Sequence, residues 1–317
     1  MILLGDDMST RKKKRIRIKW KNMILLLIVV GLIIFGTIKG TTSLIKLITT
    51  PKKEEVVEKP KDKVIHKEKT DKEIKLEKLE NINTTIDFFK EDYLDRYIEY
   101  KEKNPNLTTL QVIKNVNMHL DQEPYTFKLE AKYLNTENVL VNKHYYLPED
   151  YVPENLESIS RNYALSNMRM VKVAKEAFEE MAESAKQENL NVVAMSTYRS
   201  YNYQINLYNR YVKEDGKEKA DTYSGRPGHS EHQSGLAVDV YNKKEDYTNF
   251  ERTKEFTWMQ EHAHEYGFIL RFPKDKENET GYQYESWHYR YVGKNAAAYI
   301  HENNISFEEY YATIIKD

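Results

Sequence analysis

The chain has 317 residues, room for one or two domains, and its 49 basic and 50 acidic residues leave a net charge of -1. That balance by itself says nothing about polyanion binding, but no basic groove is evident along the sequence, so nucleic acid is not an expected partner. Cysteine is absent, which excludes disulfides and thiolate metal sites and leaves His, Asp and Glu as the only strong metal donors.

Residues 1–22 read as a basic tail, with RKKKRIRIKWK at 11–21 carrying eight positive charges. The run from Met23 to Ile38 has no charge over 16 residues. As a helix it would be roughly 24 Å long at ~1.5 Å per residue, slightly short of a hydrocarbon core of about 30 Å. Apolar character resumes after Lys39 as far as Ile48, and Lys39 and Lys46 can snorkel. A cleaved signal peptide would want small residues before the cut, yet no alanine precedes Ala131. The expectation is therefore a single-pass signal anchor over 23–48. The basic flank places the tail in the cytoplasm and the rest of the chain outside the membrane. Residues 49–80 form a charged linker, with ten lysines and nine acids over 51–80 and little apolar periodicity.

Residues 81–157 read as a helical lead-in of unassigned role. TIDFFKEDYLDRYIEYKEKN places Leu94, Tyr97 and Ile98 on one helical face. Thr108 and Gln111 have capping-box spacing ahead of a second helix. ENVLVNKHYYLPEDYVP predicts a strand and a proline-punctuated loop. Residues 158–317 form the main domain. NMRMVKVAKEAFEEMAESAKQEN predicts a long amphipathic helix with Met170, Val173, Ala177 and Met181 inward. NVVAMSTYRS predicts a strand ending at Arg199, followed by a helix from about Asn202. SGLAVDVYN, GFILRFP and ESWHYRYVG predict further strands, and a helix near 253–266 ends at Gly267 as its C′ residue. Helices and strands mix without regular alternation. The fold class is α+β, a small antiparallel sheet flanked by helices.

In GLAVDV, alternation sends Leu236, Val238 and Val240 to the core. Gly235, Ala237 and Asp239 go to the other face, a floor of small residues leading to a carboxylate. His232, in the loop just before, can fold its ring over that floor. In ESWH, Glu285 and His288 are three apart, so an extended strand would put them on opposite faces. They converge only at a strand start or turn. His232, Asp239 and His288 would supply two nitrogens and one oxygen to zinc, with Glu285 left as a proton acceptor. His229 reads as exposed. His262 and His264 face different ways on one helix, and His66, His119, His144 and His301 have no partner pattern.

SEHQSGLAVDV matches the SxHxxGxAxD pattern, and ESWH the ExWH pattern, of zinc D-Ala-D-Ala carboxypeptidases. TYRSYNYQ, RPGHSEHQSGLAVDV, YGFILRFP and ESWHYRYVG, in this order, resemble the VanY/LdcB branch of the LAS peptidases, over about residues 140–303. The resemblance implies the LAS (hedgehog-like) peptidase fold, with zinc as cofactor on His232, Asp239 and His288. It also implies Glu285 as general base and later acid, and Arg199 as the cation that meets the oxyanion and reads substrate. Gln204 and Ser230 match positions that contact the terminal D-residue, and Trp287 shapes the pocket. Phe272 stands where relatives often carry Tyr. The implied partner is a peptidoglycan stem peptide. The implied reaction is D,D-carboxypeptidase cleavage outside the membrane. L,D-carboxypeptidase cleavage of tetrapeptide stems is the alternative within the same chemistry, and a non-catalytic, zinc-containing wall-binding module is the alternative of another class. No obligate protein partner is expected.

Overall fold

The computed structural model describes residues 86–316 except 245, together with a few positions between 70 and 79. The expected tail, membrane span and most of the charged linker lie outside the described residues. Among the described residues no helix is long and apolar enough to cross a membrane.

Two short helices open the described chain, α1 (Leu94–Lys103) after a 3₁₀ turn, and α2 (Thr109–Asn117). Leu94, Tyr97 and Ile98 are buried as their spacing requires, against Val112, Ile113 and Val116 of α2. The Thr108 side chain accepts from the Gln111 amide while the Gln111 side chain caps the Thr108 amide, so the reciprocal capping box is formed.

Residues beyond α2 join a different core. β1 (Leu129–Glu130) pairs in parallel with β2 (Tyr145–Tyr146), and β3 (Leu156–Ser158) pairs antiparallel with β4 (Arg169–Val171). Val139, Leu140, Val141, Tyr145 and Leu147 are buried in one cluster with Met170, Phe178, Val238 and Tyr289. The expected division at 157/158 thus falls inside β3. Within the lead-in, helix ends at Asn117, because the apolar residues after it are spent on the neighbouring core.

The amphipathic pattern of 167–189 divides into β4 and helix α3 (Lys172–Gln187). Met170 is buried from the strand, and the helix turns Ala174, Ala177, Phe178, Met181, Ala182 and Ala185 inward, leaving Val173 exposed. The expected inward face is therefore corrected at Val173. Pairing of β4 with β3 delays the helix start, and that rotates the helical phase.

The central sheet has order β5–β6–β8–β7 and is antiparallel throughout, from β5 (Val193–Ser196), β6 (Ala237–Tyr241), β7 (Phe268–Leu270) and β8 (His288–Tyr291). Leu236, Val238 and Val240 face the core on one side, and Phe178 of α3 packs edge-on against Phe268 at 6.2 Å. Helices α4 (Tyr201–Asp215) and α5 (Lys217–Tyr223) follow β5, and Gly267 ends the helical segment after 253 in the left-handed region at φ 85°.

Candidate metal centre

Sheet register builds the centre. Asp239 of β6 is paired with His288 at the start of β8, so their side chains leave the same face side by side. Ser196 of β5 is the partner of Asp239 on the other edge, beyond a bulge between Ala194 and Ser196. The strand expected over ESWHYRYVG begins only at His288. Residues 285–288 form a turn closed by a bond from the His288 amide to the Glu285 carbonyl, 3.3 Å. That turn resolves the spacing conflict and carries Glu285 to the side of His288, with Oε2 3.9 Å from Nδ1.

His232 sits on a 3₁₀ turn, Glu231–Ser234, that ends at Gly235 in the left-handed region at φ 72°. A Cβ there would lie 3.0 Å from Leu156 and 3.1 Å from Val171, so both conformation and space favour glycine. The His232 ring donates from Nδ1 to the Thr197 carbonyl at 2.7 Å, which leaves Nε2 3.3 Å from Asp239 Oδ2. His288 Nδ1 lies 2.9 Å from Asp239 Oδ1. One donor atom from each of His232, Asp239 and His288 lies within 4.8 Å of the others, and all three residues are buried.

Arg199 crosses from the end of β5. Its guanidinium donates to Ser196 Oγ (2.7 and 3.0 Å) and to Asp239 Oδ2 (2.6 Å), and its amide donates to the His232 carbonyl at 3.2 Å. Burial opposes charge on Asp239, but His232 and Arg199 hold its carboxyl well below the usual range. Burial, with the Arg199 charge, pushes His232 down to about 4. Burial alone would lower His288, yet its contacts with Asp239 and Glu231 outweigh that and push it up to about 9. Burial is also the main reason Glu285 is pushed up to about 8.

The centre floors a cavity of about 460 Å³ whose wall includes Arg199, Gln204, Ser230, Glu285 and Trp287. Gln204 is buried on α4 and donates to the Gly225 carbonyl at 2.7 Å, while its Oε1 has no partner among the described residues. Trp287 is half-buried and packs edge-on to Tyr247 at 5.2 Å. Phe272 stacks on the His288 ring at 4.9 Å. His229, expected to be exposed, is buried. Its Nδ1 lies 2.7 Å from the Asn142 carbonyl, and burial lowers its pKa to about 4. The reason is the 139–147 segment, which covers it. His262 and His264 do not line the cavity.

Glu231, a functional residue that the motif pattern does not single out, is buried between Arg271 and Arg290. Those arginines hold its carboxyl well below the usual range against the opposing effect of burial. A signal was present, since each arginine interrupts or ends an otherwise apolar or aromatic strand.

A buried His/Asp/His donor set on an antiparallel sheet, at the floor of a pocket with an adjoining carboxylate, defines a candidate metallohydrolase centre. Residues 167–294 match the family model described as VanY, D-alanyl-D-alanine carboxypeptidase. The chain is 37% identical over 218 residues to the putative carboxypeptidase YodJ of Bacillus subtilis, covering 60% of this chain and 78% of that protein. Among solved structures it is similar to the LdcB LD-carboxypeptidase, with 36% identity, TM-score 0.53, and coverage of 59% of this chain and 98% of that one. It is also similar to VanYB, solved in complex with D-alanine-D-alanine, with 32% identity, TM-score 0.50, and coverage of 56% and 98%. The chain belongs to the VanY D-alanyl-D-alanine carboxypeptidase family.

Proposed function

We propose that the protein is a zinc-dependent D,D-carboxypeptidase that removes the terminal D-alanine from peptidoglycan stem peptides. The observation that carries this reading is the convergence of His232, Asp239 and His288 at the floor of the cavity, with donors within 4.8 Å of one another. The set fits zinc, since two imidazole nitrogens and one carboxylate oxygen are ordinary zinc donors. Three protein ligands also match a catalytic site rather than a four-ligand structural one. When bound, zinc would supply Lewis-acid polarisation of the scissile carbonyl and a lowered pKa for water.

The chain's own residues perform the remaining work. Glu285 takes the proton of the attacking water and later delivers it to the departing amine. In the metal-free protein burial favours its neutral form. The charges of His288 and Arg199 favour the carboxylate that a base requires, while Asp239 opposes it. Arg199, held in place by Ser196, presents a fixed cation to the developing oxyanion. Ser230 and the Gln204 amide hold the terminal residue, Gln204 through the Oε1 that lacks a partner among the described residues, and Trp287 shapes the wall. The basic tail and the apolar run at 23–48 support a membrane-anchored enzyme working outside the cell membrane.

Mass spectrometry of synthetic stem peptides incubated with the zinc-loaded full chain tests the reading. Loss of one alanine from a pentapeptide is expected. Cleavage of tetrapeptides alone would assign L,D specificity instead. Zinc retention without cleavage of either peptide would favour a non-catalytic wall-binding module. In the same assay Glu285→Ala should keep zinc and lose turnover, and a variant that keeps both removes the role given to Glu285.

A further inference from the structure

The buried carboxylate at Glu231 has more neighbours than charge neutralisation requires. Its Oε1 accepts from Arg271 Nε at 2.8 Å and from Arg290 Nη1 at 3.0 Å. Its Oε2 has no other hydrogen-bond donor among the described residues and lies 3.5 Å from His288 Nε2. That nitrogen is itself buried and has no hydrogen-bond partner among the described residues. The opposite side of the same ring carries Nδ1, which faces Asp239 Oδ1 at 2.9 Å. Phe272 covers one ring face and the edge of His232 meets the ring at 5.0 Å. The ring is thus held by apolar contacts, and Glu231 is the polar group aimed at its remaining nitrogen.

We infer that Glu231 is a positioning residue for the metal centre, its carboxylate receiving the Nε2–H of His288 so that Nδ1 is kept as the donor facing Asp239 and His232. The inference rests on the zinc reading above. Imidazole has two nitrogens, and the one not bonded to a metal needs an acceptor to fix tautomer and ring orientation. Arg271 and Arg290 fix that acceptor, because both are almost wholly buried. Arg271 is further held by Glu308 at 2.6 and 2.9 Å, and Arg290 by the Val139 carbonyl at 2.6 Å. Arg271 meets Glu231 through Nε and Glu308 through its two Nη atoms, so its bond to Glu231 does not run through Glu308.

Glu308 supplies the control. Glu308→Gln removes one negative charge from the same arginine cluster without touching His288. Zinc affinity of the full chain, measured by competition with a chromogenic chelator, should fall by about 10- to 100-fold in Glu231→Gln and stay at the wild-type value in Glu308→Gln. The d–d spectrum of the cobalt-loaded protein should shift in the first variant and not in the second. Should Glu231→Gln fail to fold, Glu231→Asp keeps the charge between the arginines while drawing the carboxylate back from His288, and it should show the same weakening. Wild-type zinc affinity in a folded Glu231 variant, or equal weakening in Glu308→Gln, overturns the inference. If the wild-type chain takes up no zinc, or His288→Ala binds it normally, the zinc reading itself fails and this inference falls with it.

Discussion

Replacing Glu285 by glutamine should stabilise the metal-free protein above neutral pH while abolishing turnover in the zinc-loaded one. The Glu285 carboxyl lies at about 8 in the folded chain against a reference of 4.5. Between those values the folded state holds a proton that the unfolded state has released. Stability therefore falls as pH rises through this window, by about 1.4 kcal/mol per pH unit. The cost is absent below 4.5 and complete above about 8, where it reaches roughly 5 kcal/mol. A buried amide recovers part of this and costs about 1–3 kcal/mol where it lacks partners. The expected net gain at pH 8.5 is then about 2–4 kcal/mol, on the order of 10 °C in Tm for a domain of this size. Thermal unfolding of chelator-treated wild type and Glu285→Gln at pH 5 and pH 8.5 reads it directly. The gap should open at the higher pH and close or reverse at the lower. A gap that does not change with pH, or a variant less stable at pH 8.5, would refute the assignment of a burial-raised carboxyl to this position.

Arg199→Met, assayed at saturating zinc, should lower kcat by about 10²–10³, and it should also weaken zinc binding, because the guanidinium is hydrogen-bonded to the ligand Asp239. Retained kcat in steady-state kinetics would remove its oxyanion role. Gly225→Ala should raise KM more than it lowers kcat. A Cβ there would sit 2.5 Å from the His229 carbonyl oxygen and 3.0 Å from Ser230 Cα, so the loop must shift where Gln204 and Ser230 line the cavity. An unchanged KM would show that this loop is not part of the substrate wall.

The parts of the molecule legible in advance were those with local signals. Alternation in LAVDV is enough to separate Val238 and Val240 from Asp239, because side-chain direction in a strand depends only on residue parity. The capping box at Thr108 was equally local. The phase of α3 was not, since Met170 belongs to a strand whose partner, β3, lies eleven residues or more upstream. Glu285 and His288 could be paired only conditionally, because their spacing contradicts an extended strand and the turn that reconciles them has no glycine or proline to announce it. Burial of His229 and the place of Glu231 depend on segments at 139–147 and on Arg271 and Arg290, contacts across 59 residues or more for Arg290 that no local pattern reports.

The pairing of Asp239 with His288 ties chemistry to strand registry. A slip of one residue between β6 and β8 would turn Asp239 toward the apolar side and pull it away from the imidazole, while leaving most backbone bonds of the ladder available. A cation held by those three side chains would then stabilise only the correctly registered sheet. Metal uptake would act as a proofreading step for folding, with misaligned chains left both inactive and less stable.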